Sequence, residues 1–119
     1  MDKTIIISGR QVTFRKTGGT VLRYKRQFGR EFLSDLEQVL VMRQAIKDTG
    51  DQAVRAQIVL RTETEWMYDM LFIMAQQADT AITDELSWLD SFEEFDVWTV
   101  FSEIMPMLIA EAKPAAKNV

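Results

Sequence analysis

The pattern of apolar and polar positions changes once along the chain, from short β-branched runs at the start to helical spacing thereafter. Thr4-Ile5-Ile6-Ile7 and Val12-Thr13-Phe14-Arg15 flank Ser8-Gly9-Arg10-Gln11, and two such runs around a glycine-containing turn predict a β-hairpin. A lone hairpin is marginal in water, so it must lie against helices or pair with another strand. Thr17-Gly18-Gly19-Thr20 breaks the strand pattern, with Thr20 as the expected N-cap of a short helix over 21–28 that Gly29 ends. Phe32, Leu36, Val39, Leu40 and Ile46 recur at three- to four-residue spacing. They predict an amphipathic helix from Glu31 to Asp48, stopped by Thr49-Gly50.

From Asp51 one long helical stretch is predicted to about Ala78. Its first half is amphipathic, with Val54 and Ile58 on the apolar face and Arg55 and Arg61 outward. Its second half, Trp66 to Ala75, is apolar nearly all round, which marks a helix buried on most sides and hence the central core element. Asp79 to Thr83 reads as a turn into a short helix near Asp84 to Asp90, whose early acids Asp84 and Glu85 complement the helix dipole. Ser91 and Glu94 have capping-box spacing and predict the start of the last helix there. That helix carries Phe95, Trp98, Phe101, Ile104, Met105 and Leu108 on one stripe, and Pro106 should kink it or start a new segment. The expected fold is α+β and mainly α-helical, an N-terminal β-hairpin followed by about five helices. It is expected as a single domain over 1–112, with 113–119 a polar, mobile C-terminal tail.

Composition narrows the chemistry. With 119 residues, 47% of them hydrophobic, the chain can bury a real core. It has no cysteine and no histidine, which removes thiolate nucleophiles, sulfur-based zinc sites and the side chain that titrates near neutral pH. No catalytic, cofactor-binding or metal-binding residue is assigned, and no cofactor is expected. The longest apolar run, Met70 to Ala75, is six residues, against about 20 for a spanning helix. Only three consecutive apolar residues stand near the N-terminus, against about 7–15 in a secretory signal. A soluble, intracellular protein with no membrane partner is expected.

Charge is divided unevenly. Residues 1–30 hold eight bases (Lys3, Arg10, Arg15, Lys16, Arg23, Lys25, Arg26 and Arg30) against one acid, a net of +7. The remaining 89 residues hold six bases against seventeen acids, a net of −11, and the whole is −4. Such a split suits binding, to copies of the chain or to a partner. Arg23, Lys25, Arg26 and Arg30 cluster around Tyr24 and Phe28, a composition that can also meet nucleic acid. The pI near 4.8 argues against that reading, because nucleic-acid-binding domains commonly exceed about 9. Gly18-Gly19 lacks the remainder of a phosphate-loop motif and reads as a turn. Glu93, Glu94, Asp90 and Asp96 read as helix-dipole complements. Trp88, Phe92, Phe95 and Trp98 are interleaved with them, most of them as core and one or two as interface anchors. Arg23, Lys25, Arg26, Arg30, Trp88, Phe92, Phe95 and Trp98 are therefore the candidate partner-binding residues.

The order of these segments carries a resemblance. Val12-Thr13-Phe14-Arg15 leads through Thr17-Gly18-Gly19-Thr20 to Leu22-Arg23-Tyr24-Lys25-Arg26-Gln27-Phe28-Gly29-Arg30. Ile73-Met74-Ala75-Gln76-Gln77-Ala78-Asp79, Trp88-Leu89-Asp90-Ser91-Phe92 and Phe101-Ser102-Glu103-Ile104-Met105-Pro106 follow. From residue 3 to about 110 the chain resembles the tail assembly chaperones of long-tailed phages and prophages of Gram-positive bacteria. The resemblance implies a non-enzymatic protein of the host bacterial cytoplasm. It would bind the tape measure protein, keep it soluble while tail tube protein assembles around it, and be absent from the mature virion. The alternatives are another phage interaction protein of the head–tail connector type, or a nucleic-acid-binding regulator. The charge split also implies a weak homo-oligomer, in which the Arg23–Arg30 segment of one copy meets the Asp84–Asp96 segment of the next. If both segments met within one molecule, a plain monomer would result.

Overall fold

The computed structural model describes residues 1–109, and the tail expected over 113–119 lies outside the described residues. Strands β1 (Asp2–Ile7) and β2 (Arg10–Arg15) form the expected hairpin, with Ile5 opposite Val12 and Lys3 opposite Phe14. The turn is tighter than the sequence suggests. Ser8 (φ 50°) and Gly9 (φ 75°) form a two-residue loop whose positive φ angles match the right-handed twist of the strands. One face of the hairpin sends Ile7, Val12 and Phe14 into the core, while Thr4 and Thr13 on the other face hydrogen-bond across the strands at 2.8 Å.

Six helices follow within the described residues: α1 (Thr20–Phe28), α2 (Phe32–Asp48), α3 (Gln52–Arg61), α4 (Glu65–Ala78), α5 (Glu85–Asp90) and α6 (Val97–Ile109). The architecture is the mainly helical α+β fold that the sequence predicts. α4 is its centre: nine of its fourteen residues are buried, and β2, α1, α5 and α6 all pack against it. Edge-on aromatic contacts run through this core from Tyr24 to Phe32 (6.2 Å), Phe32 to Trp66 (6.5 Å) and Trp66 to Phe101 (5.1 Å). They tie α1, α2, α4 and α6 together, each pair adding about 0.5–1.5 kcal/mol beyond burial.

Several boundaries differ from the sequence reading, each for a local reason. The long helix expected from Asp51 is two helices, separated at Thr62-Glu63-Thr64. The Thr62 hydroxyl donates back to the Ile58 carbonyl at 2.8 Å, and β-branched threonines on both sides of Glu63 disfavour helix continuation. Thr20 is the first residue of α1 and not its cap. Its hydroxyl accepts from the Thr17 amide and donates to Gln77 Oε1, both at 2.8 Å, tying the turn to α4. Gly29 ends α1 as expected, in the left-handed conformation at φ 69°. Ser91 closes α5, and the last helix begins six residues later at Val97, capped by Asp96, whose carboxylate accepts from the Thr99 hydroxyl at 2.7 Å. The 91–94 loop is instead held by the hairpin. Arg10 donates to Ser91 Oγ (2.9 Å) and stacks over Phe92 (4.0 Å), and Ser8 Oγ donates to the Glu94 carbonyl (2.7 Å). α6 continues through Pro106, which lies on the exposed side, so the Ser102 carbonyl left without its helical donor is open to water.

One polar network is built into the interior. Asp35 is 4% exposed, and it accepts from Tyr24 Oη (2.6 Å) and, through both oxygens, from Arg30 Nε (2.9 Å) and Nη2 (2.7 Å). Burial, reinforced by the facing carboxylate, pushes the Tyr24 hydroxyl well above its ordinary pKa, so it remains a donor throughout the physiological range. Replacing Asp35 by Ala leaves a buried hydroxyl and a half-buried guanidinium without an acceptor. Asp35→Ala is expected to destabilise the fold by about 2–3 kcal/mol, below the full cost of breaking a buried pair because Arg30 reaches solvent. Tyr24→Phe, which removes one donor, is expected to cost about 1 kcal/mol. Urea unfolding of the two variants beside the wild type checks both values and their order.

Candidate functional site

Three surfaces of the described structure are candidates for binding. The first is formed by α2 and α3. α2 buries Phe32, Asp35, Leu36 and Val39, but no residue from Leu40 to Glu65 is buried. α3 packs against α2 and buries none of its ten residues. The apolar face predicted over Leu40, Ile46, Val54 and Ile58 therefore does not enter the core. Leu40, Val41 (62%), Val54 and Leu60 (84%) are exposed, and Ile46 and Ile58 are half-buried. The pair behaves as an arm on the body, consistent with a radius of gyration of 15.3 Å against the roughly 13 Å of a compact domain this size. Asp51 starts α3 by accepting from the Ala53 amide at 2.8 Å, and Arg55 Nε donates to the Thr49 carbonyl at 2.9 Å, so the α2–α3 turn is defined locally.

The second surface is the basic segment, which the fold divides. Arg30 is bound to Asp35, and Lys25 forms an ion pair with Glu31. Arg23 and Arg26 make no hydrogen bond or ion pair among the described residues. Both line an open groove of about 880 Å³ between α1 and α4, together with Leu22, Gln27, Ile73 and Gln77. Leu22 is half-exposed there.

The third surface is acidic. Residues 79–96 carry seven acids and no base. Asp79, Asp84 and Asp96 are engaged with local donors, the Ala81 amide, the Ser87 amide and the Thr99 hydroxyl. The hydrogen bond from Ser87 holds the Asp84 carboxyl below its ordinary pKa. Glu85 behaves in the opposite sense. Burial, then its hydrogen bond to the Asp69 carboxyl and the nearby charges of Glu65 and Asp84, pushes it up to about 8. Burial also raises the Asp69 carboxyl, while its hydrogen bond to Glu85 acts in the opposite direction. Asp90, Glu93 and Glu94 have no cationic partner among the described residues.

The eight candidate residues are thus not brought together. Trp88 and Phe92 are buried in the hydrophobic core, where Trp88 meets Phe14 at 6.3 Å and Phe92 at 5.6 Å. Phe95 and Trp98 are half-buried and pack against the same core, Phe95 also meeting Tyr68 at 5.8 Å. None of the four stands out as an exposed anchor, so the aromatic density of this stretch belongs to packing. Sequence reasoning missed the exposed apolar residues of the arm and Leu86, which is 70% exposed on α5. Periodicity assigns them a helix face but does not say whether anything covers it.

No protein-family model, curated protein or solved structure matches this chain. Among the described residues no helix is long and apolar enough to cross a membrane. No group of three or more acidic residues is arranged among them to hold a metal ion.

The Asp69–Glu85 pair gives stability a defined pH dependence. Glu85 has a raised pKa in the fold and an ordinary one when unfolded, so the folded chain binds the extra proton between about 4.5 and about 8. The stabilisation is fully present below the lower value and is lost as pH rises through the upper one. Glu85→Gln, which keeps the hydrogen bond to Asp69 without a proton to lose, is expected to melt at nearly the same temperature at pH 6 and pH 9. The wild type should melt lower at pH 9. Equal pH dependence in the two proteins would contradict the raised Glu85 carboxyl.

Proposed function

We propose that this chain is a phage tail assembly chaperone. It binds the tape measure protein in the host cytoplasm and holds it soluble while tail tube protein assembles, and it is absent from the finished virion. The observation that carries the reading is the α2–α3 arm, twenty-six consecutive residues from Leu40 to Glu65 with none buried and with Leu40, Val41, Val54 and Leu60 exposed. Exposed apolar side chains on a helix pair can meet the apolar face of a partner helix. The strongly perturbed ionisable groups have structural explanations, Tyr24 and Arg30 through Asp35, and Glu85 through Asp69. That favours binding over catalysis as the role of the chain.

Co-expression with the cognate tape measure protein is expected to raise the soluble fraction of that protein and to yield an isolable complex. Val41→Ser with Leu60→Ser alters two exposed side chains, so folding stability should change by no more than about 0.5 kcal/mol for each. The same pair should lose most of the solubilising effect. If the wild type leaves client solubility unchanged at every induction level and no complex can be isolated, the chaperone reading fails. A fully active double variant would instead show that the arm is not the binding surface.

A further inference from the structure

We propose that the groove between α1 and α4 is a docking site for an acidic amphipathic helix of a partner protein, held by Arg23 and Arg26. The groove shares no residue with the arm, so the inference stands whether or not the arm carries a client.

Helical spacing makes the shape. Leu22, Arg23 and Arg26 lie three and four residues apart on α1, so they form one stripe and one wall of the groove. Ile73, Gln76 and Gln77 have the same spacing on α4 and form the other wall. Two helical stripes side by side leave a trough in which a third helix can pack against both, at axial separations of about 8–10 Å. The trough is open to solvent and measures about 880 Å³.

Charge decides what fits there. None of the residues lining the groove is acidic. The glutamines of the α4 wall are already engaged: Gln76 Nε2 donates to the Ile82 carbonyl at 3.0 Å, and Gln77 is held by Thr17 and Thr20, each at 2.8 Å. Arg23 and Arg26 are exposed and make no hydrogen bond or ion pair among the described residues. They stand one turn apart, about 4.5 Å along the helix axis, which is also the separation of two carboxylates three residues apart on a facing helix. A guanidinium takes a carboxylate through two parallel hydrogen bonds, so this pair selects glutamate or aspartate in that register. Leu22, half-exposed beside them, offers an apolar contact to one leucine-like side chain of the partner. Nucleic acid is the poorer fit. Tyr24 is fully buried and Phe28 packs on it at 5.9 Å, so neither aromatic of the basic segment presents a free face on which a base could stack.

Fluorescence anisotropy with the full chain and a labelled, alanine-rich helical peptide of about eighteen residues tests the proposal. The peptide carries two glutamates three residues apart and a leucine four residues from one of them. It is expected to bind at least about tenfold more tightly than its glutamine version, and to weaken by about tenfold from low to high salt. Arg23→Glu with Arg26→Glu should abolish this binding and instead bind the lysine version of the peptide, an exchange of preference that a merely structural role would not produce. If the reversal lowers the melting temperature, Arg23→Gln with Arg26→Gln should still lose about tenfold in affinity. Equal affinity for the acidic and glutamine peptides overturns the proposal, as does acidic-peptide binding that survives the reversal. Loss of binding in the Val41→Ser, Leu60→Ser variant would place the peptide on the arm and overturn it too. A single-stranded oligonucleotide that binds more tightly than the acidic peptide at physiological salt, and is released by the reversal, would make the groove a nucleic-acid site. If the reversal alters sedimentation of the full chain but not peptide binding, the groove is a contact between copies, and the proposal is equally overturned.

Discussion

The requirement that α4 be surrounded governs most of the remaining structure. Trp66, Met67, Met70, Leu71, Phe72, Ile73, Met74 and Ala75 point around the whole circumference of one helix, and each large side chain left in water would forgo roughly 1.5–3 kcal/mol of burial. A helix of this kind cannot sit at a surface, so other elements must cover it on several sides at once. The hairpin supplies Val12 and Phe14, α1 supplies Tyr24, α6 supplies Phe101, Ile104 and Leu108, and α5 supplies Trp88. The short elements gain in return what they lack alone. A two-stranded hairpin, a six-residue helix and a nine-residue helix are each marginal in water, and docking on α4 is what makes them persist.

Covering α4 in this way leaves little of it for α2 and α3, and the Tyr24–Asp35–Arg30 network follows from that limit. α2 reaches the core only through its first two turns, where Phe32, Leu36 and Val39 are buried and Asp35 lies beside them. Apolar contacts alone would let such a short footing rotate or slide at modest cost. A buried carboxylate that must receive a tyrosine hydroxyl at 2.6 Å and a guanidinium through both oxygens tolerates far less displacement. The network thus fixes the angle at which the arm leaves the body. A polar anchor of this kind serves geometry more than net stability.

How much of this was legible in the sequence depended on whether the cause was local. The hairpin was legible because β-branched runs and a glycine turn are local signals, and α4 because an all-round apolar helix has one physical outcome. The break at Thr62–Thr64 was harder to read, since helical periodicity continues across it while the threonine hydroxyl draws on the Ile58 carbonyl. Ser91 was misread for a non-local reason: its spacing to Glu94 fits a cap, but Arg10 and Ser8, more than eighty residues away, claim that loop. The same distinction separates Arg30 from Arg23 and Arg26. All three share a helical spacing, yet only Arg30, beyond Gly29, is turned back onto Asp35. The aromatic stretch from Trp88 to Trp98 carried no label distinguishing core from interface, because that depends on what the hairpin and Tyr68 bring against it.

The charge asymmetry of the chain therefore serves folding before it serves binding. Several bases of the first thirty residues hold elements together: Lys3 links β1 to α6, Arg10 links the hairpin to the loop after α5, Arg15 closes the open end of the hairpin, and Arg30 fixes α2. Acids of the 79–96 segment likewise cap α5 and α6 or pair with Asp69. A net charge counted along the sequence mixes these committed groups with free ones, and only the free ones can contribute to recognition at full strength. Subtracting the committed partners reduces a broad electrostatic contrast to two small faces.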